Sequence, residues 1–198
     1  VAGIANGEIT TYVDVVRYFS EKPVVGAEEY TREEYVGSAM RFMDYDPRTG
    51  KETPSEMSAV VQAELRRIMP GLCAQESRFN NDTESAVGAR GIFQFMPNTW
   101  AEYGGEPEDI NSLRTQVTIA GRHFASIYRR LQHHLGEATL TALRDRFESK
   151  EEFERDLLVP LMVNSYNAGS ARVAEAARLY VEAADEWSNG KGIFLDIA

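Results

Sequence analysis

The sequence predicts a mostly α-helical fold with a minor β element and a helical N-terminal extension, and three observations support this. Capping boxes precede apolar residues set at helical spacing. Stripes of Ile, Phe, Leu and Val recur near the helical period through the second half of the chain. Turn chemistry is concentrated in the stretches 44–51 and 80–91.

Taken in order, Thr31-Arg32-Glu33-Glu34 reads as a capping box before Tyr35, Val36, Met40 and Met43, the helical part of an extension over residues 1–52. Asp44 to Lys51 is rich in turn formers and marks an internal boundary. Its two aspartates lack the ligand spacing and the closing glutamate of a calcium loop, so no metal is expected there. The main domain is placed at 53–198. Thr53-Pro54-Ser55-Glu56 predicts a helix start with proline at its first position, followed by Val60, Val61, Leu65, Ile68 and Met69. Pro70-Gly71 predicts a kink or restart, leaving Leu72 to Phe79 as a short helix aimed separately. The Asn, Asp, Ser, Thr and Gly content of 80–91 predicts a loop with a small hairpin. A helix carrying Ile119, Phe124, Ile127, Tyr128 and Leu131 follows, then two more through Leu157–Val163 and Val173–Val181. The charged stretch Arg144 to Asp156 reads as a solvated helix or a flap.

Composition narrows the function. At 198 residues, 43% of them hydrophobic, the chain can bury the core of an ordinary globular domain. A formal net charge of -10 argues against nucleic acid as a partner, because phosphate binding calls for a basic face. The single cysteine, Cys73, flanked by Leu72 and Ala74, reads as a small buried packing residue. No apolar run is long enough to span a bilayer, and a start at Val1 without a leader fits a mature or trimmed chain. His133 and His134 are adjacent and point in different directions, so with His123 they make a poor chelate. No cofactor loop stands out.

The chemically informative stretch is Glu76-Ser77-Arg78-Phe79-Asn80 followed by Ser85-Ala86-Val87-Gly88-Ala89-Arg90-Gly91-Ile92-Phe93-Gln94-Phe95-Met96-Pro97-Asn98-Thr99-Trp100. One carboxylate stands where a helix meets a glycine-rich loop, with Phe79, Phe93, Phe95 and Met96 near it in sequence. If these groups closed over Glu76, desolvation would favour its neutral form, which suits a general acid. Gln94 offers a two-ended amide to a sugar hydroxyl or acetamido group. Arg78, Arg90 and Arg172 read as ordinary surface charges that are also available as local positive groups.

Together these residues resemble the soluble lytic transglycosylase family, relatives of goose-type lysozyme. The resemblance covers roughly Val60 to Ala184. It rests on Glu76-Ser77, Ser85, Gly88-Ala89-Arg90-Gly91, Gln94, Pro97-Asn98-Thr99 and, far downstream, Tyr166-Asn167-Ala168-Gly169. Ile92 and Phe93 stand where the family usually carries leucine and methionine, an apolar exchange that alters shape more than character.

The resemblance implies a lysozyme-like α+β domain acting on peptidoglycan glycan strands, in the periplasm or outside the cell, as a monomer without cofactor or metal. It implies Glu76 as the catalytic residue, with Ser85, Phe93, Gln94, Met96, Tyr166 and Asn167 binding substrate. The expected reaction cleaves the β-1,4 MurNAc-GlcNAc bond and leaves 1,6-anhydroMurNAc. The alternatives are hydrolysis of the same bond, with Asp82, Glu84 or Asp109 positioning water, and a non-catalytic wall-binding or assembly protein.

Overall fold

The computed structural model describes residues 32–46, 49 and 51–183. These are mostly helical. The helices are α1 (Arg32–Ala39), α2 (Ala59–Ser77), α3 (Pro97–Glu102), α4 (Leu113–Arg144), α5 (Lys150–Phe153), α6 (Val159–Ala168) and α7 (Ser170–Ala183). Met40–Phe42 and Pro107–Asp109 are 3-10 turns, and a π turn over Glu154–Leu158 joins α5 to α6. Among the described residues β structure is limited to isolated bridges, Tyr45 with Glu52, Glu84 with Arg90, and Arg90 with Phe95. The hairpin expected within 80–91 is thus reduced to single bridges, and its pairing reaches on to Phe95.

The described residues fall into two compact units, one taking those up to Pro54 with Arg66–His123, the other Ser55–Leu65 with those from Phe124 onward. The first unit is built around Met40, Met69, Ile92, Phe93, Phe95 and Ile119, all buried. Thr31, the first residue of the expected capping box, lies outside the described residues, but the helix that box predicted is present as α1. The segment after α1 is held on α4 by close backbone approach. A Cβ at Gly121 would fall on the Met43 carbonyl, and the Thr118 hydroxyl donates to the Phe42 carbonyl at 3.1 Å. The 44–51 stretch closes on itself, with Asp46 N donating to Lys51 O at 2.7 Å and Thr53 N to Asp44 O at 2.6 Å. Its aspartates are engaged by arginines, Asp44 by Arg66 and Asp46 by Arg122 at 3.4 Å.

Two expectations for α2 are corrected. Its N-terminus is set by Ser58, whose Oγ accepts from Val61 N at 3.2 Å, and the helix begins at Ala59. Thr53 instead pairs back to Asp44, its amide and hydroxyl both donating to the Asp44 carbonyl, at 2.6 and 2.8 Å. Nor does Pro70 end the helix, which runs on to Ser77. The lost amide donor is a local cost, and burial of the ring offsets it. Pro70 is buried, and Gly37 packs beside it at a spacing where a Cβ would make ordinary contact, 3.7 Å from Pro70 Cγ.

The second unit buries Val61, Leu65, Phe124, Leu131, Leu157 and Met162. Within it α6 and α7 pack together, and Gly169, at φ 85°, allows the turn between them. Helix α4 is kinked at Gly136 (φ 74°, ψ 161°). The charged stretch expected as a solvated helix or a flap divides. Ser149 caps α5 by accepting from Glu152 N at 3.0 Å, whereas Phe153 and Glu154 are buried.

Candidate active site

Glu76 occupies the last turn of α2 and is half-buried. Directly after it, Ser77 is buried with its hydroxyl 3.1 Å from the Cys73 carbonyl and 3.0 Å from the Ile92 carbonyl, its one hydrogen shared between them. The serine beside the carboxylate therefore fastens the end of the helix to the loop that carries Gln94. Ser77→Ala should leave the buried Ile92 carbonyl without this donor and destabilise the protein by about 1–3 kcal/mol. Urea denaturation of the two proteins would measure this.

The chain then turns abruptly. Arg78 and Phe79 both adopt the left-handed region, at φ 53° and 60°, and Phe79 N donates back to Cys73 O at 3.4 Å. Gln94, at φ 49°, is the third non-glycine residue with positive φ among the described residues. Each such residue costs on the order of 1 kcal/mol or more and persists only where its surroundings enforce it. All three flank Glu76 or end the loop pinned beneath it by Ser77.

A buried amide pair enforces that loop. Gln116, fully buried on α4, accepts from Ile92 N at 2.8 Å and donates to Ile110 O at 2.6 Å and to Asn81 Oδ1. Asn81, also buried, donates in turn to Asn111 O at 2.7 Å. Gly91, at φ 78°, lies against this amide, and a Cβ there would overlap Gln116 Oε1. Its glycine is required twice, for the backbone angle and for the space.

Gln94 spends both amide hydrogens inside the loop, on Gly91 O at 2.9 Å and Thr83 O at 3.1 Å. Its Oε1 accepts nothing from the described residues, so the acceptor end is the one a ligand can use. Ser85 is half-buried, and its Oγ accepts from Ala89 N at 2.9 Å, holding the turn that Gly88 completes. Met96 is exposed at the start of α3. Phe93 has no exposed surface and packs beside Phe95 with ring centroids 5.6 Å apart, so it sits behind the loop surface. Tyr166 and Asn167 belong to the second unit, at the end of α6, where the Tyr166 ring stacks on Phe124 with centroids 5.5 Å apart.

The charges singled out in the sequence are unevenly engaged. Glu84 faces Arg90 at 3.7 Å, while Asp82, Asp109, Arg78 and Arg172 are exposed. Cys73 lies one helical turn before Glu76 and is fully buried. Burial pushes its thiol well above the ordinary range, a backbone hydrogen bond opposes the rise, and the Glu76 charge adds to it. The thiolate is thus suppressed at neutral pH. Iodoacetamide at pH 8 should leave Cys73 unmodified in the folded protein and alkylate it in denaturant, as intact mass would report. Among the described residues no three His, Cys, Asp or Glu side chains converge as metal ligands.

Asn81 and Gln116 are the residues that sequence reasoning missed. Asn81 read as one turn former among several, and Gln116 carried no signal apart from a polar residue on an otherwise apolar helical face.

The first unit presents Glu76 at a helix end whose next residue is bonded to a glycine-bearing loop tied down by buried amides. The sequence model of the family described as Transglycosylase SLT domain matches residues 54–188, and the chain belongs to that family. Members of this family are peptidoglycan-cleaving enzymes. No curated protein and no solved structure matches the chain.

Proposed function

We propose that this protein is a peptidoglycan lytic transglycosylase in which Glu76 is the catalytic acid and then the base. The observation that carries this reading is the Ser77 lock, which couples the helix end bearing Glu76 to the strained loop bearing Gln94. Membership of the family supplies the substrate class.

In the proposed reaction Glu76 protonates the glycosidic oxygen as the bond from MurNAc C1 to the GlcNAc oxygen breaks. The N-acetyl group of MurNAc stabilises the cation at C1. The Glu76 carboxylate then takes the proton of the MurNAc 6-hydroxyl as its oxygen bonds to C1, which closes the 1,6-anhydro ring and restores the acid. No water is consumed, and one titrating group serves both half-reactions. Most glycosidases use two carboxylates. An intramolecular hydroxyl removes the need for a second one because its effective concentration is high.

Gln94 Oε1 is assigned to a sugar donor, with Ser85, Met96, Tyr166 and Asn167 as further substrate contacts. Phe93 supports the apolar wall from behind. Residues 1–52 are taken as a helical extension and 53–198 as the catalytic domain, a reading supported by a family match that begins at residue 54. The proposed place of action is outside the cytoplasm, in the periplasm or beyond, with the protein acting as a monomer on glycan strands. Among the described residues no helix is long and apolar enough to cross a membrane.

Digestion of purified peptidoglycan tests the chemistry. Mass spectrometry should find muropeptides ending in 1,6-anhydroMurNAc, each 18 Da lighter than its hydrolytic counterpart by the mass of one water. Reducing MurNAc ends would instead establish hydrolysis, with Asp82, Glu84 or Asp109 as the candidates for positioning water. Intact glycan strands would favour a binding role without catalysis.

A further inference from the structure

The second unit holds a cavity that the proposed reaction does not use. It has a volume of about 350 Å³ and lies between the two segments of α4 that meet at the Gly136 kink and the Lys150–Leu158 region. Two irregularities shape its walls. Gly136 departs from helical geometry, and the facing chain leaves the α-helix for the π turn at Glu154–Leu158. Single π turns are energetically poorer than α-helix and occur often at functional sites.

The lining is divided by chemistry. Leu140, Phe153 and Leu158 supply an apolar floor. Glu154 reaches the cavity although it is only 3% exposed, its oxygens held by the Ser58 hydroxyl at 2.6 Å and by Lys150 Nζ at 3.4 Å. A buried carboxylate is costly unless its partners are good, and Lys150 is itself largely exposed. The remaining polar wall is unspent. The side chains of Glu137 and Arg144, both lining the cavity, make no hydrogen bond or ion pair with the described residues.

We propose that this cavity binds a small zwitterion, an α-amino acid or a short peptide bearing a free amino group and a free carboxylate. The Arg144 guanidinium forms a two-pronged pair with the ligand carboxylate, which suits its planar fork. The ligand ammonium lies towards Glu137 and Glu154, completing the ring of partners around the buried carboxylate. An aliphatic side chain covers Leu140, Phe153 and Leu158. Glu137 and Arg144, two turns apart on one segment of α4, offer opposite charges to the same cavity and select for a ligand carrying both, whereas a simple anion or cation would satisfy only one of them. The volume lies within the range of small-molecule sites.

Ligand-observed NMR on the full chain tests this, using the twenty free amino acids and a set of Ala-X dipeptides at millimolar concentration. Binding is expected for members with aliphatic side chains, and it should fall at least tenfold when the amino group is acetylated or the carboxylate is esterified. Arg144→Gln should weaken it by a similar factor, as should Glu137→Gln; both are exposed positions where folding is not at stake. Displacement of the bound probe by a purified disaccharide-peptide muropeptide would support the site and give the wall as its source. Probe binding that a muropeptide fails to displace would support it with a free ligand as the source. Absence of binding across the panel, equal binding of the blocked compounds, or no change in Arg144→Gln would overturn it.

Discussion

Replacing Glu76 with glutamine is expected to lower the rate of glycosidic cleavage by about 10³-fold or more, since acid and base steps each contribute roughly 10²–10⁴-fold. The amide keeps the shape of the side chain but neither gives nor takes a proton at neutral pH. Because Glu76 is half-buried at the end of α2 and its neighbour Ser77 fastens the loop, the variant should fold as the parent does. Release of soluble muropeptides from purified peptidoglycan measures the rate, and circular dichroism checks the fold. A glutamine variant as active as the parent would remove Glu76 from the mechanism.

The largest expected loss of stability is at Gly91. Gly91→Ala adds a Cβ where Gln116 Oε1 already lies, at a backbone φ of 78° that disfavours any side chain. Left-handed backbone at alanine costs about 1 kcal/mol or more. Moving Gln116 would strip partners from Ile92 N, Ile110 O and Asn81 Oδ1, each worth about 1–3 kcal/mol when left buried and unsatisfied. A total of at least about 4 kcal/mol is expected, a large part of the stability of an ordinary domain. Gly91→Ala and Gln116→Ala act on one network, so the double variant should lose less than the sum of the two. Chemical denaturation of the four proteins measures the coupling, and strict additivity would show that the two positions are independent.

Much of the candidate site was legible because its residues are close in sequence. Glu76-Ser77, Gly88, Gly91 and Gln94 lie within 19 residues, and their types already suggest a carboxylate beside a loop with unusual backbone angles. The structure gives those types their reasons. Ser77 acts as a fastener between two carbonyls, and Gln94 is held as a donor with its acceptor end left over. Phe93, taken from the sequence as part of a substrate wall, has no exposed surface. An apolar residue in a motif reads the same whether it faces a ligand or the core, and only packing separates the two.

The helices were legible in type and less so in their limits. Period and composition identified α2, α4, α6 and α7, since an apolar face at 3.6-residue spacing is a local property. The start of α2 was misplaced because Thr53 and Ser58 are both good caps. Thr53 is paired back to the Asp44 carbonyl, whereas Ser58 donates to Glu154 and accepts from Val61 N. Pro70-Gly71 reads as a kink or restart because its local cost is fixed, and the helix does not restart there because the burial that offsets this cost comes from a segment more than 30 residues away in sequence.

The sequence by itself therefore determined the helical class and the family, and it singled out Glu76 and the loop after it as the candidate site, all carried by short-range spacing and by side-chain types with few alternative uses. Tertiary structure alone decided which cap begins α2, that Pro70 is tolerated, and that Asn81 and Gln116 hold the loop at Gly91. The last of these depends on pairing buried polar groups across 35 residues of chain. An unpaired buried amide is expensive, so the partner decides the structure, and local sequence does not name the partner.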